Sequence, residues 1–258
     1  MKIHPSAIIE KGAELDNDVI VGPYAVIRGA VKIGSGTAID AHTVIEGNTT
    51  IGKNNRIGIG AVIGNAPQDL KYNGENTEVI IGEGNAIREY VTINRGTVDR
   101  MKTVIGNGNL LMSYVHIGHD ALIADEVIMG NCVTLAGHIT IEEQAIIGGL
   151  TPIHQFVRIG RMSITGGASR VQQDIPPYCK TSGNPMKIFG LNVIGLNRRN
   201  YSVDDKNKLK KAYKILFRSG LNTSQALDRI KSDATLVSAH VKYLVKFIED
   251  SKRGICKK

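Results

Sequence analysis

Four of the seven histidines in this 258-residue chain, His116, His119, His138 and His154, lie close together in the sequence, and His119 is followed directly by Asp120. An imidazole titrates near neutral pH, so one oriented by a carboxylate can serve as a general base. A glycine N–H beside it, such as that of Gly137, could hold an oxyanion. That combination suits transfer of an acyl group to a hydroxyl. Three converging histidines could instead ligate zinc, as in trimeric carbonic anhydrases, although the spacing His116-x2-His119 does not match that family. Isolated histidines mostly carry no chemistry, and His4, His42 and His240 are read as structural.

Whether the four act together depends on the elements that hold them. Every sixth residue from Ile3 is aliphatic: of the 29 positions 3, 9, 15 and onward to 171, 25 are Ile, Leu, Val or Met. The exceptions are Asp69, Glu75, Asp99 and Thr165. Four residues after each aliphatic comes a small or β-branched residue, as in Ala7, Ala13, Val19, Ala25 and Thr37. Positions four and six are two apart, so both point inward from one short strand. The residues between them, often Gly, Asn or Asp, turn a corner. An ordinary sheet protein would lose phase at its turns.

The hexads therefore predict an all-β solenoid, a parallel β-helix whose coil is three hexads, or 18 residues. Residues 18 apart then stack at about 4.8 Å. His119, Gly137 and Gln155 form one column and Asp120, His138 and Phe156 the next, at corner positions expected to face outward. The out-of-pattern positions mark two excursions, about 66–78 and 94–103, and long loops on a rigid scaffold commonly carry function.

From about residue 202 the period becomes helical. Ser202 with Asp205 reads as a capping box, Leu209, Ala212, Tyr213, Leu216 and Phe217 share one face, and Gly220 stops the helix. Thr223 or Ser224 is expected to cap a second helix, and Val237 to Ile248 suggest a third. We divide the chain into a β-helix, 1–190, and an α-helical C-terminal domain, 191–258.

Composition narrows the function classes. Aromatic residues are 5%, Trp is absent and Gly numbers 29, so the core must be aliphatic and layered. Cys132, Cys179 and Cys256 are odd in number and far apart, which argues against disulfides and zinc clusters and for a reducing, cytoplasmic setting. No stretch is apolar enough to span a membrane or direct export. The net charge of +8 belongs to the tail: from Lys187 onward, 17 Lys and Arg face 6 Asp and Glu. Lys206, Lys208, Lys210, Lys211 and Lys214 line the first long helix. Nucleic acid, an anionic membrane or an acidic protein could meet such a surface, and charge alone does not choose.

The segments LLMSYVHIGHDALI (110–123), TLAGHI (134–139), HQF (154–156), QDLKY (68–72), QDIPPY (173–178) and GLNVIGLNRR (190–199) resemble motifs of the UDP-N-acetylglucosamine 3-O-acyltransferase family of lipid A synthesis. The resemblance covers essentially the whole chain. It implies a left-handed helix, a sense that periodicity does not reveal, since ordinary parallel crossovers are right-handed. It further implies that His119 is the base that deprotonates the sugar 3-hydroxyl, Asp120 its orienter and Gly137 the oxyanion donor. Gln68, Asp69, Lys71, His116, His138, His154 and Gln155 would line the acceptor and acyl pockets. Asn192, Arg198 and Arg199 would grip the nucleotide diphosphate, and Gly167 would leave the acyl groove long. The partners implied are acyl carrier protein as co-substrate, the sugar nucleotide and two further copies in a homotrimer, with no cofactor, metal, nucleic acid or stable membrane insertion. Ile194 departs from the pattern, because many relatives have a glutamate there. Some members acylate a 3-amino sugar, so the alternative product is an amide. The later N-acyltransferase of the pathway carries an additional N-terminal domain, whereas hexads here begin at Ile3. A non-enzymatic scaffold would need neither clustered histidines nor paired arginines.

Overall fold

The structure is a computed structural model that describes residues 2–257. Short strands of two to five residues assemble into three sheets of eleven, eight and eight strands, parallel except for one terminal hairpin. Consecutive coils stack in register, with Ile9 beside Ile27, Ile27 beside Ile45 and Ile45 beside Ile63. The result is a left-handed parallel β-helix. Its inward aliphatics are almost completely removed from water, from Ile27 through Ile159, and each such side chain contributes about 1.5–3 kcal/mol relative to exposure.

The phase survives both excursions because each adds a multiple of six residues. Across the first, partners are 30 apart, as in Ile63 with Ile93. Across the second they are 24 apart, as in Ile93 with Ile117. The chain leaves the prism after strands Val62–Asn65 and Thr92–Asn94 and re-enters at Glu78–Ile81 and Lys102–Ile105. Both excursions thus open from the same corner in successive coils. The next turn of that corner, between His116–Ile117 and Leu122–Ile123, carries His119 and Asp120.

Corner residues adopt left-handed backbone conformations, with φ of 59° at Tyr24, 58° at Tyr90 and 64° at Tyr114. A non-glycine residue there costs roughly 1–2 kcal/mol. Stacking along the columns offsets part of that, for Tyr24 lies on His42 with ring centroids 5.1 Å apart and Tyr90 on Tyr114 at 5.2 Å. Aromatic residues thus share these bends with the Gly, Asn and Asp often expected there.

Beyond the coils, an antiparallel hairpin, Cys179–Ser182 with Lys187–Leu191, carries the sheet one residue past the expected boundary. Helix α1 (Val193–Arg198) follows, then α2 (Val203–Arg218), α3 (Thr223–Ser232) and, after a 3-10 turn, α4 (Ala239–Glu249). Ser202 caps α2 by accepting from the Asp205 amide at 3.0 Å, and Gly220 turns away with φ of 76°. The cap of α3 is Asn222, one residue earlier than expected, because its amide oxygen and Gln225 form a reciprocal capping box. Hairpin and α1 are too short to leave a periodic signal.

One buried polar ladder holds the middle coils. The Asn85 side chain donates to Asn55 Oδ1 at 2.9 Å, and its own Oδ1 accepts from the backbone and side-chain nitrogens of Asn109, each at 2.9 Å. Leaving buried donors without an acceptor costs about 1–3 kcal/mol each. Asn85→Ala is expected to lower the thermal unfolding midpoint by about 5–10 °C, at the 2–4 °C per kcal/mol typical of chains this long. An unchanged midpoint by calorimetry would show that the ladder is not structural.

Candidate active site

The corner that emits both loops forms one wall of an open cleft of about 780 Å³. Gln68, Asp69 and Lys71 reach it from the first loop, His116, His119, Gly137 and Gln155 from successive coils. Arg95 ties the loops down by donating to the Tyr72 hydroxyl at 2.9 Å and to the Gly64 carbonyl at 2.7 Å.

Asp120 points out of the coil, as its corner position suggested, yet it is fully buried. The second loop folds over it, so that the Thr97 hydroxyl donates to Oδ2 at 2.6 Å while the amides of Thr97 and Arg100 reach Oδ1 at 3.0 and 3.3 Å. His119 Nδ1 lies 2.8 Å from Oδ2. Burial alone would raise the Asp120 carboxyl, but the bonds from His119 and Thr97 outweigh it and hold the group below the usual carboxylate range. An ionised Asp120 accepts only, so Nδ1 of His119 carries the proton and Nε2 presents a lone pair, with no partner among the described residues.

Gly137 is a glycine because the His119 ring lies against its Cα, where a Cβ would overlap the imidazole. Its carbonyl accepts from the Phe156 amide at 3.2 Å, while no acceptor among the described residues takes its N–H. His138, on the same outward corner, is also buried. It stacks on Phe156 at 4.6 Å and stands edge-on to His119 at 5.0 Å, with Asp99 Oδ2 3.5 Å from its Nε2. Burial pushes the pKa of His138 down despite Asp120, and burial followed by the nearby His119 pushes that of His116 down. His116 Nδ1 is 2.7 Å from the Thr92 hydroxyl.

The remaining expected residues lie elsewhere in a single chain. His154 is exposed, with Nδ1 3.2 Å from the Gln155 carbonyl, and is not part of the cleft wall. Gly167 sits on a different corner, against Gly149. Asn192 is buried as the cap of α1: its Oδ1 accepts from Gly195 and its Nδ2 donates to the Met162 carbonyl. Arg199 is paired with Glu126, and Arg198 is exposed. Sequence reasoning missed Asn94, which lines the cleft, and Thr97 and Arg100, which enclose Asp120; their only signal was membership of an out-of-phase segment.

His119, Asp120 and His138 are close enough to suggest a metal site. Both Asp120 oxygens, however, already accept short hydrogen bonds from the loop and from His119. Neither Asp120 oxygen has a lone pair left for a cation, and the donor set fits a proton-transfer pair better.

Residues 174–256 match the family described as Udp N-acetylglucosamine O-acyltransferase, domain 2, and residues 102–137 match the bacterial transferase hexapeptide repeats. The acyl-(acyl-carrier-protein)–UDP-N-acetylglucosamine O-acyltransferase of Thermodesulfovibrio yellowstonii is 50% identical over 257 residues, with 99% of each chain covered. That of Paraburkholderia phymatum is 46% identical over 258 residues, covering 98% of each. The LpxA structure from Acinetobacter baumannii superposes with a TM-score of 0.95 at 44% identity, covering 98% of this chain and 99% of that one. The UDP-N-acetylglucosamine acyltransferase of Arabidopsis does so at 0.87 and 35% identity, covering 99% and 100%. With relatives this similar along its whole length, the chain belongs to the acyl-(acyl-carrier-protein)–UDP-N-acetylglucosamine O-acyltransferase family.

Proposed function

We propose that this protein transfers a 3-hydroxyacyl chain from acyl carrier protein to the 3-hydroxyl of UDP-N-acetylglucosamine, the first step of lipid A synthesis. The observation that carries this reading is the His119–Asp120 pair at 2.8 Å, with the imidazole laid against Gly137 at the edge of an open cleft. In the step proposed, Nε2 of His119 takes the hydroxyl proton as the sugar oxygen bonds to the thioester carbonyl carbon. The Gly137 N–H donates to the resulting oxyanion. Collapse breaks the carbon–sulfur bond, and the imidazolium returns its proton to the departing thiolate. No cofactor or metal enters this scheme. The amide alternative needs the same base and differs only in the attacking atom.

A homotrimer about an axis parallel to the β-helix is part of the proposal. One prism edge exposes a line of apolar side chains, with Tyr24 at 60%, Tyr90 at 49%, Tyr114 at 58% and Leu150 at 65%. A closed cyclic assembly would cover such an edge without forming filaments. It would also let Arg198 and Arg199 serve a neighbour's cleft, and let the acyl chain run past Gly167 between subunits. No helix among the described residues is long and apolar enough to cross a membrane, and we place the enzyme in the cytoplasm beside its carrier-protein substrate.

Three outcomes are expected. His119→Ala should lower kcat by about 10²–10⁴-fold and leave the fold intact, since the ring lies outside the coil core; retention of more than about a tenth of wild-type kcat would sink the assignment. Light scattering at micromolar concentration should give three times the 27.9 kDa chain mass, and a monomer would contradict the trimer. Stability should also fall on acidification below pH 6.5, the ordinary histidine value. His116 and His138 have lowered folded-state pKa values, so in that window the unfolded chain binds more protons and stability decreases as pH falls. A His116→Gln, His138→Gln variant should lose less between pH 7 and 5 in denaturant titrations; an equal loss would place the acid sensitivity elsewhere.

A further inference from the structure

His116 stands on a strand beside the catalytic corner, in register between Thr92 in the coil before and Thr134 in the coil after. These three side chains face outward, opposite to the buried Ile93, Ile117 and Leu135 that follow them. His116 and Thr134 line the cleft together with His119. Of the two threonines only Thr92 engages the ring, its hydroxyl oxygen lying 2.7 Å from Nδ1. The Thr134 hydroxyl is turned away, to the Cys132 carbonyl at 3.4 Å. Nε2 of His116 has no partner among the described residues and is the nitrogen left for a bound molecule.

Nδ1 is the contacted nitrogen in both His116 and His119, yet the partners differ in kind. Beside His119 is an ionised carboxylate, which only accepts, so Nδ1 carries the proton and Nε2 is bare. Beside His116 is a hydroxyl, which has a hydrogen to give. Thr92 makes no other side-chain hydrogen bond among the described residues, and its neighbour on the other side in the sheet, Val62, offers no side-chain acceptor. Were Nδ1 of His116 protonated, the hydroxyl hydrogen would be left without an acceptor. With the hydroxyl donating to Nδ1, both groups are satisfied and the ring proton lies on Nε2. The ring carries one proton at neutral pH, because burial and then the nearby His119 push its pKa down.

We propose that Thr92 is a positioning residue that holds His116 as the Nε2–H tautomer, a fixed hydrogen-bond donor to an oxygen of the acceptor sugar, a reading that rests on the acyl transfer proposed above. The sugar then meets two imidazoles of opposite character. A hydroxyl bonded to His119 must give its hydrogen, whereas the oxygen met by His116 must accept one. The pair thereby distinguishes the hydroxyl that reacts from its neighbour. Charge does not develop on the oxygen held by His116, so this contact contributes to binding rather than to the chemical step.

The test joins a spectroscopic readout to kinetics. Long-range ¹H–¹⁵N spectra of protein carrying ¹⁵N-histidine, with the His116 signals identified by their loss in His116→Gln, should show a protonated Nε2 and a bare Nδ1. The reverse tautomer would overturn the inference. Thr92→Val, which keeps the shape and removes the hydroxyl, should move both nitrogens toward averaged shifts and raise KM for UDP-N-acetylglucosamine about fivefold, the worth of one neutral hydrogen bond, with kcat changed less than about twofold. Thr92→Ser, which keeps the donor, should restore both the spectrum and KM. Unchanged His116 signals in Thr92→Val, or equal effects of the valine and serine variants on KM, would show that the hydroxyl does not position the ring. The tautomer is read without substrate, so a wild-type enzyme that failed to transfer the acyl group would sink the acyl-transfer reading while leaving the Thr92–His116 assignment to stand or fall on its own spectrum.

Discussion

Everything in this molecule depends on coil closure, the requirement that each inward aliphatic lie over its counterpart one coil below. A strand turns its side chains to alternate faces, so a slip by one residue would put a core isoleucine into water. The chain can leave the prism only if it returns with its aliphatics facing inward again. Partner spacings of 30 and 24 residues, in place of 18, show both loops obeying that restriction. Because both emerge at the corner that next carries His119, one constraint sets the position of the loops and of the His119–Asp120 pair beside them.

The cost of the arrangement falls on Asp120. A buried carboxylate without partners is strongly disfavoured, and here the second loop supplies the Thr97 hydroxyl and two amides while His119 supplies a fourth donor. The same contacts that keep Asp120 ionised fix the tautomer of His119. The loop thus holds the His119–Asp120 pair as well as covering it. His138 is wedged between that pair and Phe156.

Most of the β-helix was legible because the repeat is local: six residues decide one side, and stacking by 18 predicted that His119 and Gly137 would touch. Burial at the corners was not legible, since Asp120 and His138 are covered by a loop that carries no periodic signal. Asn192 shows a second limit. Its neighbours in GLNVIGLNRR suggested a ligand contact, yet in the single chain its amide is engaged in capping α1 and bonding Met162, contacts that require knowing where α1 begins. The α3 cap failed by one residue for a related reason, as Asn222, Thr223 and Ser224 are all competent caps and only the Gln225 partner distinguishes them.

A solenoid also has ends, and an uncovered last coil would offer unpaired strand edges. Here the C-terminal part covers it both by backbone pairing, with Ile255 bridged to Asp174, and through side chains. Glu142 accepts from Arg158 at 2.8 Å, from the Arg161 amide at 2.9 Å and from the Tyr243 hydroxyl at 2.6 Å, while Arg158 stacks on Phe247 and Arg161 on Tyr243. Arg158 lies three residues beyond Gln155 in the cleft wall, and α4, which carries Tyr243 and Phe247, packs against α2. The cap is therefore fastened to the same coils that build the cleft.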